Sequence, residues 1–247
     1  MLLIDYSLET PQANLAFDEA LIESVDPSQL EQSASISEFP DAELESLRLW
    51  EMPSMCVVMG RGSKATEVNQ AACDADRVPI LRRCSGGASI VAGPGCLMYS
   101  LLLSLENRPA LRSINAGHAW VMERVAQAVA TVVPAVSLQG TCDLTLRDRK
   151  FSGNAVRYKR DWLLYHGTLL YQFPLTAVSR YLEMPPRQPV YRDARKHDDF
   201  LVNLDCDPIR LRQALQSVWQ AEQPWELHRH STSILSTTQR ILETKYA

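Results

Sequence analysis

From Leu47 to Tyr171 the apolar residues come in short runs: Leu47-Arg48-Leu49-Trp50, Cys56-Val57-Val58-Met59, Val78 to Leu81 and Cys96 to Leu103. Each run stops at glycine, proline or charge, which fits strands better than helices, since helices need about ten residues or more. Three further runs, Leu144 to Leu146, Phe151 to Tyr158 and Trp162 to Tyr171, are separated only by the polar turns Arg147-Asp148-Arg149 and Lys159-Arg160-Asp161. Connections that short dictate antiparallel pairing. Helical patterns lie around these strands. Asn14 is a cap candidate before LAFDEALIESV, with acids in the first turns; Trp120, Val121, Val125, Val129 and Val132 repeat at helical spacing over His118 to Val133. A last helix is predicted from Asp207-Pro208, burying Ile209, Leu215, Val218 and Trp219. The pattern predicts an α/β (α+β) fold: a mixed, largely antiparallel sheet flanked by helices. The polar, Ser/Glu-rich stretch over residues 27–46 reads as an exposed insertion.

At 247 residues and 46% hydrophobic composition, the chain can bury a core as one large domain or two small ones. The net charge of −4 argues against a nucleic-acid partner. The longest apolar run, Cys96 to Leu103, is too short to span a bilayer, and MLLIDYSLET carries an acid where a signal peptide would carry positive charge. The expectation is no membrane association and a cytoplasmic location. Six cysteines stand singly, without a C-x-x-C pair or clustered histidines, and read as reduced thiols rather than a zinc site or disulfide framework.

Chemistry concentrates in two blocks. RRCSGGASIVAGPGCLMYS, Arg82 to Ser100, places two arginines and two glycines at the end of an apolar run, where neither type helps a core. GTCDLTLRDRKFSGNAVRYKRDWLLYHGTLLYQ, Gly140 to Gln172, sets Lys150 just before Ser152-Gly153-Asn154-Ala155, where a small residue admits close approach. If Arg82, the N–H groups of Gly86 and Gly87, and Lys150 converge, they form a cationic pocket for a carboxylate and a phosphate side by side. Such a pocket suits acyl-adenylate chemistry, in which a carboxylate oxygen attacks the α-phosphorus of ATP. On a continuing strand Arg83 would face away from Arg82. The P-loop pattern is absent.

In order and spacing, RRCSGG, GTCDLTL…RKFSGNA and YHGTLLY resemble the lipoate–protein ligase A family, within the biotin/lipoate protein ligase superfamily. NLAFDEAL and RLWEMPSMCVVMGR resemble its flanking segments, so the resemblance covers nearly the whole chain. It implies a single catalytic domain over residues 1–247 with the fold of class II aminoacyl-tRNA synthetases. The implied reaction has two halves: lipoate (or octanoate) plus ATP gives the acyl-adenylate, and the acyl group then passes to a lysine of a lipoyl carrier domain. The implied carriers are the 2-oxoacid dehydrogenase acyltransferase subunit and the glycine cleavage H protein. By the same resemblance Lys150 is the catalytic lysine; Arg82, Ser85, Gly86, Gly87 and Ala88 form the lipoate- and adenylate-binding loop; and Asp143 lies near Mg2+ and the phosphates. Ser152 and Gly153 belong to the lysine's motif, and His166, Gly167 and Thr168 line the pocket floor. Pro185 to Asn203, with Arg192, Arg195 and Lys196, occupies the place of the family's mobile adenylate-binding loop.

The chain departs from the family pattern at Ala88, where a third glycine is usual, at about Ala92, where a histidine is common, and at Cys142, where asparagine is common. It also ends at Ala247, without the C-terminal accessory domain of longer ligases, which raises the expectation of a separate accessory protein. Some short relatives are ATP-independent octanoyl- or lipoyl-transferases, so Cys142 is the possible nucleophile of an alternative mechanism; it would need a depressed pKa. A non-catalytic acyl- or carrier-binding module and a biotin ligase are the remaining alternatives. Cys84 and Cys96 read as packing residues, His118, His228 and His230 as surface or capping residues, and GRGSKAT as a strand-to-helix turn.

Overall fold

The computed structural model describes residues 1–25, 44–225 and 231–246. In chain order the strands are β1 (Leu2–Asp5), β2 (Ser46–Trp50), β3 (Cys56–Met59), β4 (Ile80–Arg82), β5 (Ile90–Ala92), β6 (Cys96–Ser104), β7 (Val136–Gln139), β8 (Asp143–Leu146), β9 (Arg149–Ser152), β10 (Asn154–Lys159), β11 (Trp162–Leu170) and β12 (Gln223–Pro224). The helices are α1 (Pro11–Glu23), α2 (Gln70–Asp76), α3 (Ile114–Ala130), α4 (Thr176–Tyr181), α5 (His197–Phe200), α6 (Pro208–Trp219) and α7 (Ser231–Lys245). No helix among the described residues is long and apolar enough to cross a membrane.

The main sheet runs β10-β11-β6-β2-β1-β12. Its first four strands pair antiparallel, and β1 pairs parallel with both neighbours. Strand alternation divides the long central strands between two faces. Leu97, Tyr99, Leu101 and Leu103 of β6 join Leu163, Tyr165 and Leu169 of β11 in a core with Val121 and Val125 of α3 and Leu211 and Leu215 of α6. On the other face Trp162 and Leu164 pack with Phe17 and Leu21 of α1 and Ile234 of α7. His166 and Thr168 follow on that same face, so two polar residues stand midway along an otherwise apolar strand.

Two small sheets adjoin that polar stretch. One, β4-β3-β5, carries the Arg82-Arg83-Cys84-Ser85-Gly86-Gly87 segment at the end of β4; the other, β7-β8-β9, carries Asp143 and Lys150. The hairpin turn at Arg147 and Asp148 takes φ values of 51° and 59°, the left-handed pair of a tight antiparallel connection.

Several boundaries differ from the sequence reading, each for a local reason. The α1 cap is Thr10, whose Oγ1 accepts from Ala13 N, and Pro11 occupies the first helical position. Asn14 lies inside the helix, where Nδ2 donates to the Leu8 and Thr10 carbonyls. The strand expected over Phe151 to Tyr158 breaks at Gly153 into β9 and β10, on different sheets. Asp207 caps α6 as expected, but Ile209 is 63% exposed and Leu211 is buried in its place. A further helix, α7, follows α6 and packs on α1. Of the 27–46 insertion, residues 27–43 lie outside the described residues. Leu44, Glu45 and Ser46 are buried and lead into β2, because the strand is interior to the sheet. His118 is buried within α3 and bonded through Nδ1 to the Tyr165 hydroxyl at 2.8 Å, not at the surface. His228 and His230 lie outside the described residues.

Candidate active site

A cavity of about 350 Å³ opens between the main sheet and the two small sheets. Its lining combines apolar side chains of one packed cluster, Leu15, Trp50, Val58, Met98, Leu170 and Val178, with Lys150, Asp143, Arg83, Gly87 and Ala88.

The loop after β4 is fixed through its carbonyl groups. Ser85 O accepts from Arg61 N at 2.8 Å and Gly87 O from Ser63 Oγ at 3.3 Å. The Arg83 guanidinium donates to Gly86 O at 2.5 Å, Ala88 O at 3.0 Å, Val58 O at 3.2 Å and, through Nε, Ser85 Oγ at 3.0 Å. Gly87 has φ +89°, and a Cβ there would come within 2.8 Å of the guanidinium, so only glycine fits this approach. With four successive carbonyls engaged, the loop presents Gly87 and Ala88 to the cavity lining, and no described residue accepts from either N–H. Successive backbone N–H groups without a protein acceptor are suited to an anion.

The structure corrects the assignment of the two arginines. Their side chains do take opposite sides, but it is Arg83 that enters the cavity wall. Arg82 turns away, donating to the carbonyls of Gly60, Arg61 and Ser63. Burial pulls the Arg83 pKa down to about 10, still a cation at neutral pH, and among the described residues it has no carboxylate in salt-bridge reach.

Lys150 Nζ lies 2.8 Å from Asp143 Oδ1, and Tyr191 OH donates to Asp143 Oδ2 at 2.8 Å. A Cβ on Gly153 would lie 3.1 Å from Nζ and 3.2 Å from Cε, so the glycine clears the path of the lysine side chain. Asn154 holds this region in place: its Nδ2 donates to Cys142 O at 2.7 Å and Ser152 Oγ at 3.0 Å, and its Oδ1 accepts from Tyr99 OH. Cys142 lines the cavity, but its thiol is directed to Asn154 O at 3.4 Å, and burial pushes its pKa up to about 11.

His166 bridges two segments: Nδ1 is 2.5 Å from Asp18 Oδ2 and Nε2 is 2.5 Å from Ser85 Oγ. Burial opposes ionisation of Asp18, yet the hydrogen bond from His166, with the Arg48 guanidinium behind, holds its carboxyl below the ordinary value. Glu67 ties the neighbouring loop, accepting from Lys64 N at 3.0 Å and Ser89 Oγ at 2.8 Å.

Of the residues singled out in the sequence, Gly87, Ala88, Cys142, Asp143, Lys150, Ser152, Gly153, His166, Gly167 and Thr168 line this one cavity. Ser85 stands behind the wall, and Gly86 contributes its carbonyl to Arg83; neither is on the lining. Arg192 is on the wall, buried and stacked over Phe200 at 4.6 Å, whereas Arg195 is engaged with the carbonyls of Asp148 and Tyr191 and Lys196 is exposed off the lining. Sequence reasoning missed Arg83, Asp18, Asn154 and Tyr191. Only the buried carboxylate offered a signal: Asp18 sits three residues after Leu15 and three before Leu21, on the core face of a helix.

Residues 10–219 match the Lipoyl protein ligase A/B catalytic domain. The chain belongs to this family. The probable lipoate-protein ligase A of Mycoplasma pneumoniae is 24% identical over 207 residues, covering 81% of this chain and 60% of that protein. The chain spans about half the length of the curated relatives it matches. The fold is that of solved lipoate ligases. A structure described as a bi-partite lipoate protein ligase and its E2 lipoyl domain from Thermoplasma acidophilum superposes with TM-score 0.78 at 18% identity, covering 99% of this chain and 92% of that one. A lipoate-protein ligase A bound with ATP superposes with TM-score 0.75 at 17% identity, covering 99% and 95%. This family member therefore carries the mixed sheet and flanking helices expected of it.

Proposed function

We propose that this protein is an ATP-dependent lipoate–protein ligase, which activates lipoate or octanoate as the acyl-adenylate and transfers the acyl group to a lysine of a lipoyl carrier domain. One observation carries the reading: Lys150 and the Gly87–Ala88 segment of the Arg83-fixed loop line one cavity together with a set of apolar side chains. The apolar walls accept an alkyl chain, each buried methylene contributing about 0.8 kcal/mol. The carboxylate is left to Lys150 and the loop.

In the first half-reaction a carboxylate oxygen bonds to the α-phosphorus and the bond from that phosphorus to pyrophosphate breaks. Lys150 neutralises charge on the carboxylate and α-phosphate, and the loop N–H groups donate to the phosphoryl oxygens; such donors act best when fixed in advance. In the second half-reaction the carrier's ε-amine bonds to the acyl carbon, the acyl–oxygen bond breaks, AMP leaves and the amine loses a proton. Asp143 is the carboxylate that would hold Mg2+ here. One carboxylate with the nucleotide's phosphates and water is an ordinary ligand set for that ion. When bound, Mg2+ would supply charge neutralisation to those phosphates.

The fold relative bound with ATP supports the nucleotide. The bi-partite relative with its E2 lipoyl domain supports a lipoyl carrier partner and a second polypeptide in the ligase; in this reading the carriers are the 2-oxoacid dehydrogenase acyltransferase subunit and the glycine cleavage H protein. In this reading the reaction runs in the cytoplasm, on free acid and ATP. The test is the mass of a carrier domain incubated with lipoate or octanoate, or with an octanoyl-carrier thioester donor, each with and without ATP and Mg2+. Acylation from the free acid only with ATP is expected. Acylation from the thioester without ATP would assign the protein to the transferases instead.

A further inference from the structure

The cavity wall contains a buried chain of polar side chains that joins one guanidinium to another. Arg48 is fully buried between the rings of Phe17 and Trp50, at 4.5 and 4.3 Å, and its NH1 lies 3.7 Å from Asp18 Oδ1. Asp18 meets His166 Nδ1, His166 Nε2 meets Ser85 Oγ, and Ser85 Oγ meets Arg83 Nε. Asp18 is 2% exposed and Ser85 1%. A helix face that needed only a core would carry an aliphatic residue at Asp18, because a buried carboxylate is costly unless paired and hydrogen-bonded.

The direction of the bonds follows from the donors. Arg83 Nε can only donate, so Ser85 Oγ accepts there and has its own hydrogen for His166 Nε2. Arg83 Nε and His166 Nε2 are the partners of the buried Ser85 hydroxyl among the described residues. Its hydrogen is therefore satisfied only when His166 presents a lone pair at Nε2 and carries its proton on Nδ1, where the carboxylate of Asp18 accepts it. From Asp18 to Arg83 each hydrogen bond then has one orientation, and the sequence ends at the Arg83 fork on the carbonyls of Gly86 and Ala88. We infer that Asp18 is a positioning residue, which sets the His166 tautomer and through Ser85 and Arg83 holds the Gly87–Ala88 donors in place for an anionic ligand. The identity of that ligand as an acyl-adenylate rests on the proposed function; the tautomer and the chain do not.

Asp18→Asn tests the direction. The amide oxygen of asparagine would turn to Arg48, which can only donate, and its NH2 would face His166 Nδ1. His166 would then carry its proton on Nε2, and Ser85 Oγ would receive donors from both sides. A carboxylate-to-amide change behind a histidine is known to leave geometry intact while inverting the tautomer. The measurements are 15N-detected NMR of the His166 ring in the ligand-free protein and calorimetric affinity for a non-hydrolysable acyl-sulfamoyl-adenosine. The expected results are a wild-type ring protonated at Nδ1, a switch to Nε2 in Asp18→Asn, and affinity lower by about tenfold or more. Ser85→Ala, which cuts the chain without touching Asp18, should lower affinity similarly and serves if Asp18→Asn does not fold. A wild-type ring protonated at Nε2, or unchanged affinity in Ser85→Ala and any folded Asp18→Asn, would overturn the inference. Failure of the wild type to bind the analogue, with the ring protonated at Nδ1, would count against the acyl-adenylate reading alone and leave the tautomer assignment standing.

Discussion

Arg83 and Lys150 bring positive charge to the lining of one cavity in opposite ways. Arg83 is 9% exposed and all its hydrogen-bond partners are neutral acceptors, so it is locked in geometry without a carboxylate paired to it. The Lys150 side chain is 26% exposed and ion-paired with Asp143, so its charge is committed in the free protein and must be redirected when an anion arrives. The loop side is preset; the hairpin side exchanges partners. A site of this kind needs both, because fixed donors define where charge sits and a flexible ammonium can follow it between two half-reactions.

The comparison breaks most sharply at Lys150. Lys150→Ala should lower single-turnover acyl-adenylate formation by about 10²–10³-fold. Its melting temperature should stay near wild type, since the lost pair is partly solvated and Tyr191 still covers Asp143. Full activity in a folded Lys150→Ala protein would remove this lysine from the site.

Arg83→Ala should come next, at roughly tenfold to hundredfold in adenylate formation, with a clear fall in thermal stability as three carbonyls and a hydroxyl lose their donor. Arg82→Ala releases only the Gly60–Ser63 turn and should leave activity within a few-fold of wild type. Adenylate assays and melting curves on both variants decide the matter; a larger loss at Arg82 would reverse the geometry described above.

That pair also marks how far the sequence was legible. Alternation along a strand placed the two arginines on opposite sides, but which side meets the cavity depends on how β4 is rotated against β3, and no local pattern encodes that. The Lys150 motif was readable because the lysine, Gly153 and Asp143 lie within eleven residues of one another and meet through a hairpin. Asp18 was not, since its partner His166 is 148 residues away in sequence and only the packing of α1 on β11 brings them together. The same limit explains Asn14: its cap-like identity was visible, but its buried bond to Arg48 Nη2 at 2.7 Å was not. Strands and the Asp207 cap were legible because pairing and capping are local.

A smaller change sharpens the contrast between a locked and an adaptable charge. Gly153→Ala puts a methyl 3.1 Å from Lys150 Nζ, a contact tighter than ordinary but against the far end of a flexible chain. Lys150 should shift rather than the backbone, so kcat should fall by only about two- to fivefold with little change in stability. A loss as large as that of Lys150→Ala would show that the lysine is as rigidly held as Arg83.

The smallest effect is expected at Cys142, beside the adaptable lysine. A thiol acts as a nucleophile only as its thiolate, and with a pKa near 11 about one molecule in ten thousand is ionised at pH 7. Burial is the main cause, the neighbouring Asp143 carboxylate adds to it, and the Lys150 ammonium offsets only part. The thiol hydrogen is moreover directed to Asn154 O, which positions Cys142 as a spacer between β8 and β10. Serine can make the same bond in nearly the same volume. Cys142→Ser should therefore keep ATP-dependent carrier acylation within about twofold of wild type. Intact-mass measurement of the wild type with an octanoyl-carrier thioester should show no acyl adduct. An adduct that appears in the wild type and vanishes in Cys142→Ser, with loss of turnover, would mean that the charge of Lys150 serves a thiolate rather than a phosphate, and the division between preset and adaptable charges would have to be redrawn around the cysteine.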